Sequence, residues 1–261
     1  LLIVLYLFTS LSGLRAQDHD DIDFRANQAL QANYLVARPA FEAAYLECPG
    51  IPRGLLEAVA YTNTHFRHIM PSVDEESCTG MPLMRGIMGL CPDGRGHFRN
   101  NLALIASLSG YPQQRIMNEP TINVLAYAKA YEVMATQQGL SGRGVAEQLA
   151  VVSALSELPD DNLPQNFALN TFLYSVCDFL ESPARQQLCG FSDPALNLES
   201  IFGHENLRLL RSSQVMVGKD FVQDNHGRRF SRKSLLPGGK SSDYAPALWD
   251  QACTDNYSSR N

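Results

Sequence analysis

GLLEAVAYTNTHF, residues 54–66, is the stretch on which the reading of this chain turns. Leu55, Leu56, Val59 and Phe66 recur at the spacing of one helical face, so the stretch is predicted to be an amphipathic helix with that face turned inward. Asn63 interrupts the pattern. At about 100° per residue its side chain projects between those of Leu56, Val59 and Phe66, near the middle of a face that should be apolar. A buried amide requires hydrogen-bond partners, and backbone in the following loop, residues 69–92, is the nearest source.

Around this helix the chain has the composition of a globular protein. Its 261 residues are 45% hydrophobic and 18% charged, enough for one domain of about 150 to 200 residues plus flanking segments. A formal net charge of −6 argues against nucleic acid as a partner, since phosphate contacts need clustered Lys and Arg. The short cationic run GRRFSRK (227–233) reads as a solvated loop.

The opening LLIVLYLFTSLSGLRAQ is an apolar run followed by small residues, the pattern of a secretory signal peptide over residues 1–17. The only membrane contact expected is through that export signal, and the predicted location is secreted, periplasmic or cell-envelope. Six cysteines, at 48, 78, 91, 177, 189 and 253, suit an oxidising compartment. They allow 15 pairings, among which Cys78 with Cys91 and Cys177 with Cys189 would each close a short loop. No CxxC pair points to structural zinc. His65 and His68 stand three apart without a third ligand or a His-Glu-x-x-His order, so no metal or other cofactor is expected. No Gly-x-Ser-x-Gly elbow supports a serine hydrolase.

Nearly every periodic stretch after the leader reads as helix, and the predicted class is all-α. Residues 24–37 and 39–48 form two helical stretches divided by Pro39, which should break or bend the path. Residues 69–100 form a long loop rich in Gly, Pro and Cys. Helical patterns resume at 100–110, 120–137, 144–158, 166–180 and 196–210, and SQVMVGKDFV (213–222) allows a short hairpin. The segment from Pro237 reads as a linker.

Taken in order, residues 48–180 resemble the lysozyme-like domain of soluble lytic transglycosylases and goose-type lysozymes. That family's first core helix carries a pattern like Ala-hydrophobic-x-x-x-Glu-Ser-x-Phe, matched here by Ala58, Val59, Asn63, Thr64 and Phe66. Its Gly-Ala-x-Gly-Leu-Met-Gln loop is matched by GIMGLCP, where Gly86, Gly89 and Leu90 agree and Cys91-Pro92 replace Met-Gln. EPTINVLAYAKAYEVM is similar to the family's Asn-Ile-x-x-Gly helix, with Ile122-Asn123 transposed or shifted. Ser156-Glu157 stand for the Tyr-Asn of an Ala-Tyr-Asn-Ala-Gly-Pro segment, and FLYSVCDFL has the character of the closing Tyr-Val-x-x-Val helix.

Pattern and resemblance together give an expected layout of signal peptide (1–17), N-terminal helical segment (18–47), lysozyme-like domain (48–183, the part the resemblance supplies), further helical or irregular subdomain (184–236) and linker (237–261). The resemblance implies peptidoglycan glycan strands as partner and Asn63, Thr64, Gly86, Gly89 and Leu90 as the substrate-binding set. Glycoside cleavage needs a carboxylic acid to protonate the departing oxygen, and an apolar helix face raises its pKa for that task. Asn63 stands where the family has that glutamate, and an amide has no proton to give. Displaced acids could come from Asp74, Glu75 or Glu76 in the following loop, or from Glu157. Glu57 points well away from Asn63 and is expected in solvent.

Three readings follow: a glycan-binding module that has lost glycosidase activity, an active transglycosylase or muramidase with a displaced carboxylate, and a structural helical envelope domain. A lysozyme-like module ahead of a linker also resembles the N-terminal region of some bacterial N-acetylmuramoyl-L-alanine amidases, whose zinc ligands have no counterpart here.

Overall fold

The computed structural model describes residues 2–70, 83–92 and 100–232, with side chains described from Phe24 onward. The chain is helical as expected: α1 (Leu2–Glu47), α2 (Leu55–Thr64), α3 (Asn101–Ser109), α4 (Gln113–Asn118), α5 (Pro120–Gln137), α6 (Val145–Ser156), α7 (Leu163–Glu181), α8 (Pro183–Cys189), α9 (Leu198–Phe202) and α10 (His204–Leu210). The hairpin after them pairs β1 (Val215–Val217) antiparallel with β2 (Val222–Asp224), Met216 facing Gln223. Among the described residues, no helix is long and apolar enough to cross a membrane.

The predicted break at Pro39 does not occur, and α1 runs through it. Proline in a helix interior frees the carbonyl four residues earlier and clashes with it. Here that residue, Leu35, is 52% exposed, so water can reach the freed group. The opposite face holds the helix in place. Leu30, Tyr34, Ala37, Phe41, Ala44 and Cys48 return every three or four positions and are all buried, forming one seam that packs mainly on α5.

Helix α2 departs from its predicted amphipathic character. Leu55 through Ala60 are all buried, because α7 covers one side while Tyr45 of α1 closes over its first turn. Glu57, expected in solvent, is only 4% exposed. The sequence pattern around Glu57 shows one apolar face, whereas helices distant in sequence bury the others.

Elsewhere α5 occupies the predicted span, and two short helices, α4 and α8, appear where no periodicity was visible. Residues 196–210 form two helices rather than one. Gly203, at φ 83° and ψ 150°, takes a conformation outside the helical region and separates α9 from α10. One continuous core links buried residues from Leu30 to Leu207, and Leu209, Val222 and Phe230 form a small satellite under the hairpin. Ser231 and Asn206 exchange two hydrogen bonds of 2.8 Å that tie the segment after the hairpin to α10.

The seam on α1 sets a direct stability expectation. Phe41 is 1% exposed and packs against Tyr34 and Phe66, so Phe41→Ala should cost about 3 to 5 kcal/mol in denaturant unfolding. Val36→Ala, on the 84% exposed outer face of the same helix, should change stability by less than about 0.5 kcal/mol. Equal effects would mean that α1 does not dock through this seam.

Candidate functional site

The end of α2 and the Gly-x-x-Gly-Leu turn meet side by side. The turn is a tight reversal in which Arg85 and Leu90 exchange backbone hydrogen bonds of 2.8 and 2.9 Å, while Ile69 and Gly86 pair on its outer side. Ile87, Met88, Leu90 and Cys91 are all buried. A turn placed this deep cannot rely on water for its backbone polar groups.

Side-chain amides take that role. Asn63 Nδ2 donates to the Met88 carbonyl at 2.9 Å, and Asn123 Oδ1 accepts the Met88 N–H at 2.7 Å. Both backbone groups of Met88 are therefore held by asparagines from different helices. Asn123 is itself fixed by donating to the Ile116 carbonyl at 2.9 Å. Asn101 accepts the Cys91 N–H at 2.8 Å and donates to Leu155 of α6 at 3.3 Å. The Thr64 hydroxyl lies 2.6 Å from the Ile87 carbonyl and 2.9 Å from that of Ala60, and its single proton serves one of them at a time.

The two glycines are required by close approach. A Cβ on Gly89 would stand 2.6 Å from Asn63 Cβ, and one on Gly86 would stand 2.0 Å from Asn123 Nδ2. Both also have φ near +70°, a region that L side chains rarely adopt. The chain leaving α2 carries a further constraint. His65 and Phe66 sit in succession at φ 52° and 65°, an uncommon and unfavourable conformation for non-glycine residues. Phe66 is held there by burial among Tyr34, Phe41, Tyr61 and Phe179, with ring centroids 5.2 to 6.1 Å away.

Of the sequence-predicted binding set, Asn63 is half-buried, whereas Thr64 and Leu90 are 1% and 0% exposed and serve the turn's interior. Glu157 closes the far flank. It caps α6 at φ 49°, and its Oε2 accepts the N–H of Asn100, the residue that caps α3, at 3.0 Å. Partial burial raises its carboxyl pKa, and the Asn100 N–H opposes that shift. Glu57 belongs to the other end of α2, where its Oε2 accepts a 2.5 Å bond from Tyr45. Asp74, Glu75 and Glu76 lie outside the described residues, as does Cys78.

Cys177 and Cys189 are both free thiols, against the predicted pairing. Cys177 points into the core from α7, whereas Cys189 ends α8, whose last turn is anchored by Tyr34 donating to the Cys189 carbonyl at 3.3 Å. Cys91 is buried and free beside the turn. His65 is exposed, its ring 4.8 Å from that of Tyr61, while both ring nitrogens of His68 are buried and make no side-chain hydrogen bond among the described residues. Burial lowers the His68 pKa, and the Asn118 backbone opposes the shift. Among the described residues, no group of three His, Cys, Asp or Glu could hold a metal ion.

Asn101 and Asn123 are the residues that sequence reading underused. Each carries the same signal as Asn63, an amide set within an apolar helical pattern. Comparison with protein-family models, curated proteins and solved structures finds no match.

Two outcomes test the clasp. Gly86→Ala and Gly89→Ala should each destabilise the protein by more than about 2 kcal/mol, combining backbone strain with displacement of an asparagine. Gly139→Ala, also at positive φ but with nothing within 4 Å, should cost only about 1 kcal/mol. Similar losses at all three sites would remove the steric argument. Asn63→Asp replaces the Met88 donor with a carboxylate that faces the same carbonyl, so it should cost about 1 to 3 kcal/mol at pH 7. That loss should shrink on acidification as the carboxyl regains a proton to donate, read as the pH dependence of unfolding midpoints for variant and wild type.

Proposed function

We propose that this chain is a peptidoglycan-directed, lysozyme-like module that binds glycan strands without cleaving them, exported to the cell envelope and belonging to an amidase-type cell-wall hydrolase. One observation carries the reading. Three of the five segments on which the resemblance rests, separated in sequence, touch at one point: Asn63 of α2, the Gly86–Leu90 turn and Asn123 of α5. Asn123 holds the turn directly, and Asn123-Val124 is an asparagine–aliphatic pair in the family's own order, which favours the shifted over the transposed match.

The absence of cleavage follows from chemistry at the same point. The Asn63 amide is engaged as a donor to Met88 and carries no proton that a glycosidic oxygen could take. Its half-buried position beside a backbone-rich turn suits recognition of sugar hydroxyl and acetamido groups, which pair well with amides and peptide carbonyls.

A second reading, residual glycosidase activity, rests on Glu157. Its carboxyl is half-buried, has a raised pKa and sits on a backbone in the left-handed region, features that accompany catalytic acids. Its hydrogen bond to Asn100 equally accounts for it as the link between α6 and α3.

Purified peptidoglycan separates the two readings. The full chain should co-sediment with sacculi and release no anhydro- or reducing-end muropeptides, and Glu157→Gln should leave binding unchanged. Release of muropeptides that is lost in Glu157→Gln would establish the second reading. Failure to co-sediment would contradict the first.

A further inference from the structure

We propose that α2 is a proton-sensitive lever: ionisation of Glu57 at its first turn loosens the helix from α1 and α8, and through the helix relaxes the grip of Asn63 and Thr64 on the Gly86–Leu90 turn. The proposal is independent of what the turn binds. It concerns a buried acid that the site itself does not use.

The geometry is specific. Glu57 is 4% exposed, and its Oε2 accepts a 2.5 Å bond from the Tyr45 hydroxyl, whose oxygen in turn accepts the Leu56 N–H at 3.3 Å. Among the described residues no cation forms an ion pair with it. Arg53, in the segment before α2, lies over the Tyr45 ring at 4.4 Å and faces the carboxyl only at a distance. From α1 the facing groups are Tyr45 and Tyr34, and from α8 Cys189, all neutral and held so by burial and by Glu57 itself. Arg185 of α8 is engaged elsewhere, over Tyr61 at 4.7 Å. Charging Glu57 therefore places a buried carboxylate between three elements with no ion pair to neutralise it, favoured only by the Tyr45 hydroxyl, the backbone of Gly54 and Glu57 and the more distant Arg53.

Gly54 fixes how the chain enters the helix. It stands at φ 87° immediately before α2, with the Phe191 ring packed where a Cβ would be, 2.7 Å away. Six residues separate Glu57 from Asn63, about 9 Å along a rigid helix, so tilt at one end is felt at the other. Burial pushes the Glu57 pKa from 4.5 up to about 7, with the Tyr45 bond opposing. For a raised carboxyl, the stabilising contribution is complete below the unfolded value and is lost as pH rises through the folded one. Loosening thus sets in near neutrality.

Nuclear magnetic resonance on the full chain tests this. The Glu57 carboxyl carbon should titrate with a midpoint near 7, and the Met88 and Gly89 amide shifts should move with the same midpoint. Glu57→Gln, which keeps an acceptor for Tyr45, should flatten the turn's titration. Tyr45→Phe, which removes a donor favouring the ionised form, should raise the midpoint. The proposal is overturned if Glu57 titrates in the ordinary carboxylate range, if Tyr45→Phe lowers the midpoint, or if the turn's titration survives Glu57→Gln.

Discussion

Burying a backbone turn is the constraint on which this structure depends. Met88 and its neighbours sit at the centre of the protein, where an unpaired N–H or carbonyl costs about 1 to 3 kcal/mol. Neither a helix nor a sheet supplies the partners at Met88. Asn63 and Asn123 do so, and Asn101 and Thr64 extend the arrangement to Cys91 and Ile87. The helices that carry these residues are thereby fixed relative to one another, because each side chain must reach the same short turn.

Helix α2 is the element on which most of these demands converge. Its last turn grips the loop, its first turn holds a buried carboxyl, and its exit passes through two consecutive left-handed residues. Such strain persists only where surrounding contacts over-determine it, and the aromatic group around Phe66 provides them. The face of α2 that carries Asn63 is committed to an amide with a structural task. Polar groups within a core impose geometry as well as solubility, and in this protein they define a single arrangement of α2, α3 and α5 about one turn.

Much of the helical framework was legible in the sequence because its signals are local. Pro120 opens α5 where its apolar period begins, whereas α7 starts at Leu163 behind its Asn162 cap, three residues before the apolar pattern read from 166. What could not be read depends on partners far along the chain. Glu57 looked solvent-facing because nothing near it announces Tyr45, and Pro39 looked like a break because the seam on α1 acquires its strength from partners distant in sequence, chiefly α5. Asn63 was recognisable as anomalous, whereas its partner at Met88 was not. The spacing that made the Gly86 and Gly89 pair conspicuous is explained by contacts to Asn123 and Asn63 that no local pattern contains.

The claim that side-chain amides hold the turn is tested most directly by scalar coupling across the hydrogen bond from the Asn63 side-chain nitrogen to the Met88 carbonyl carbon. The account predicts a measurable coupling together with slow solvent exchange of the Asn63 side-chain protons. A freely exchanging amide with no coupling to Met88 would contradict it.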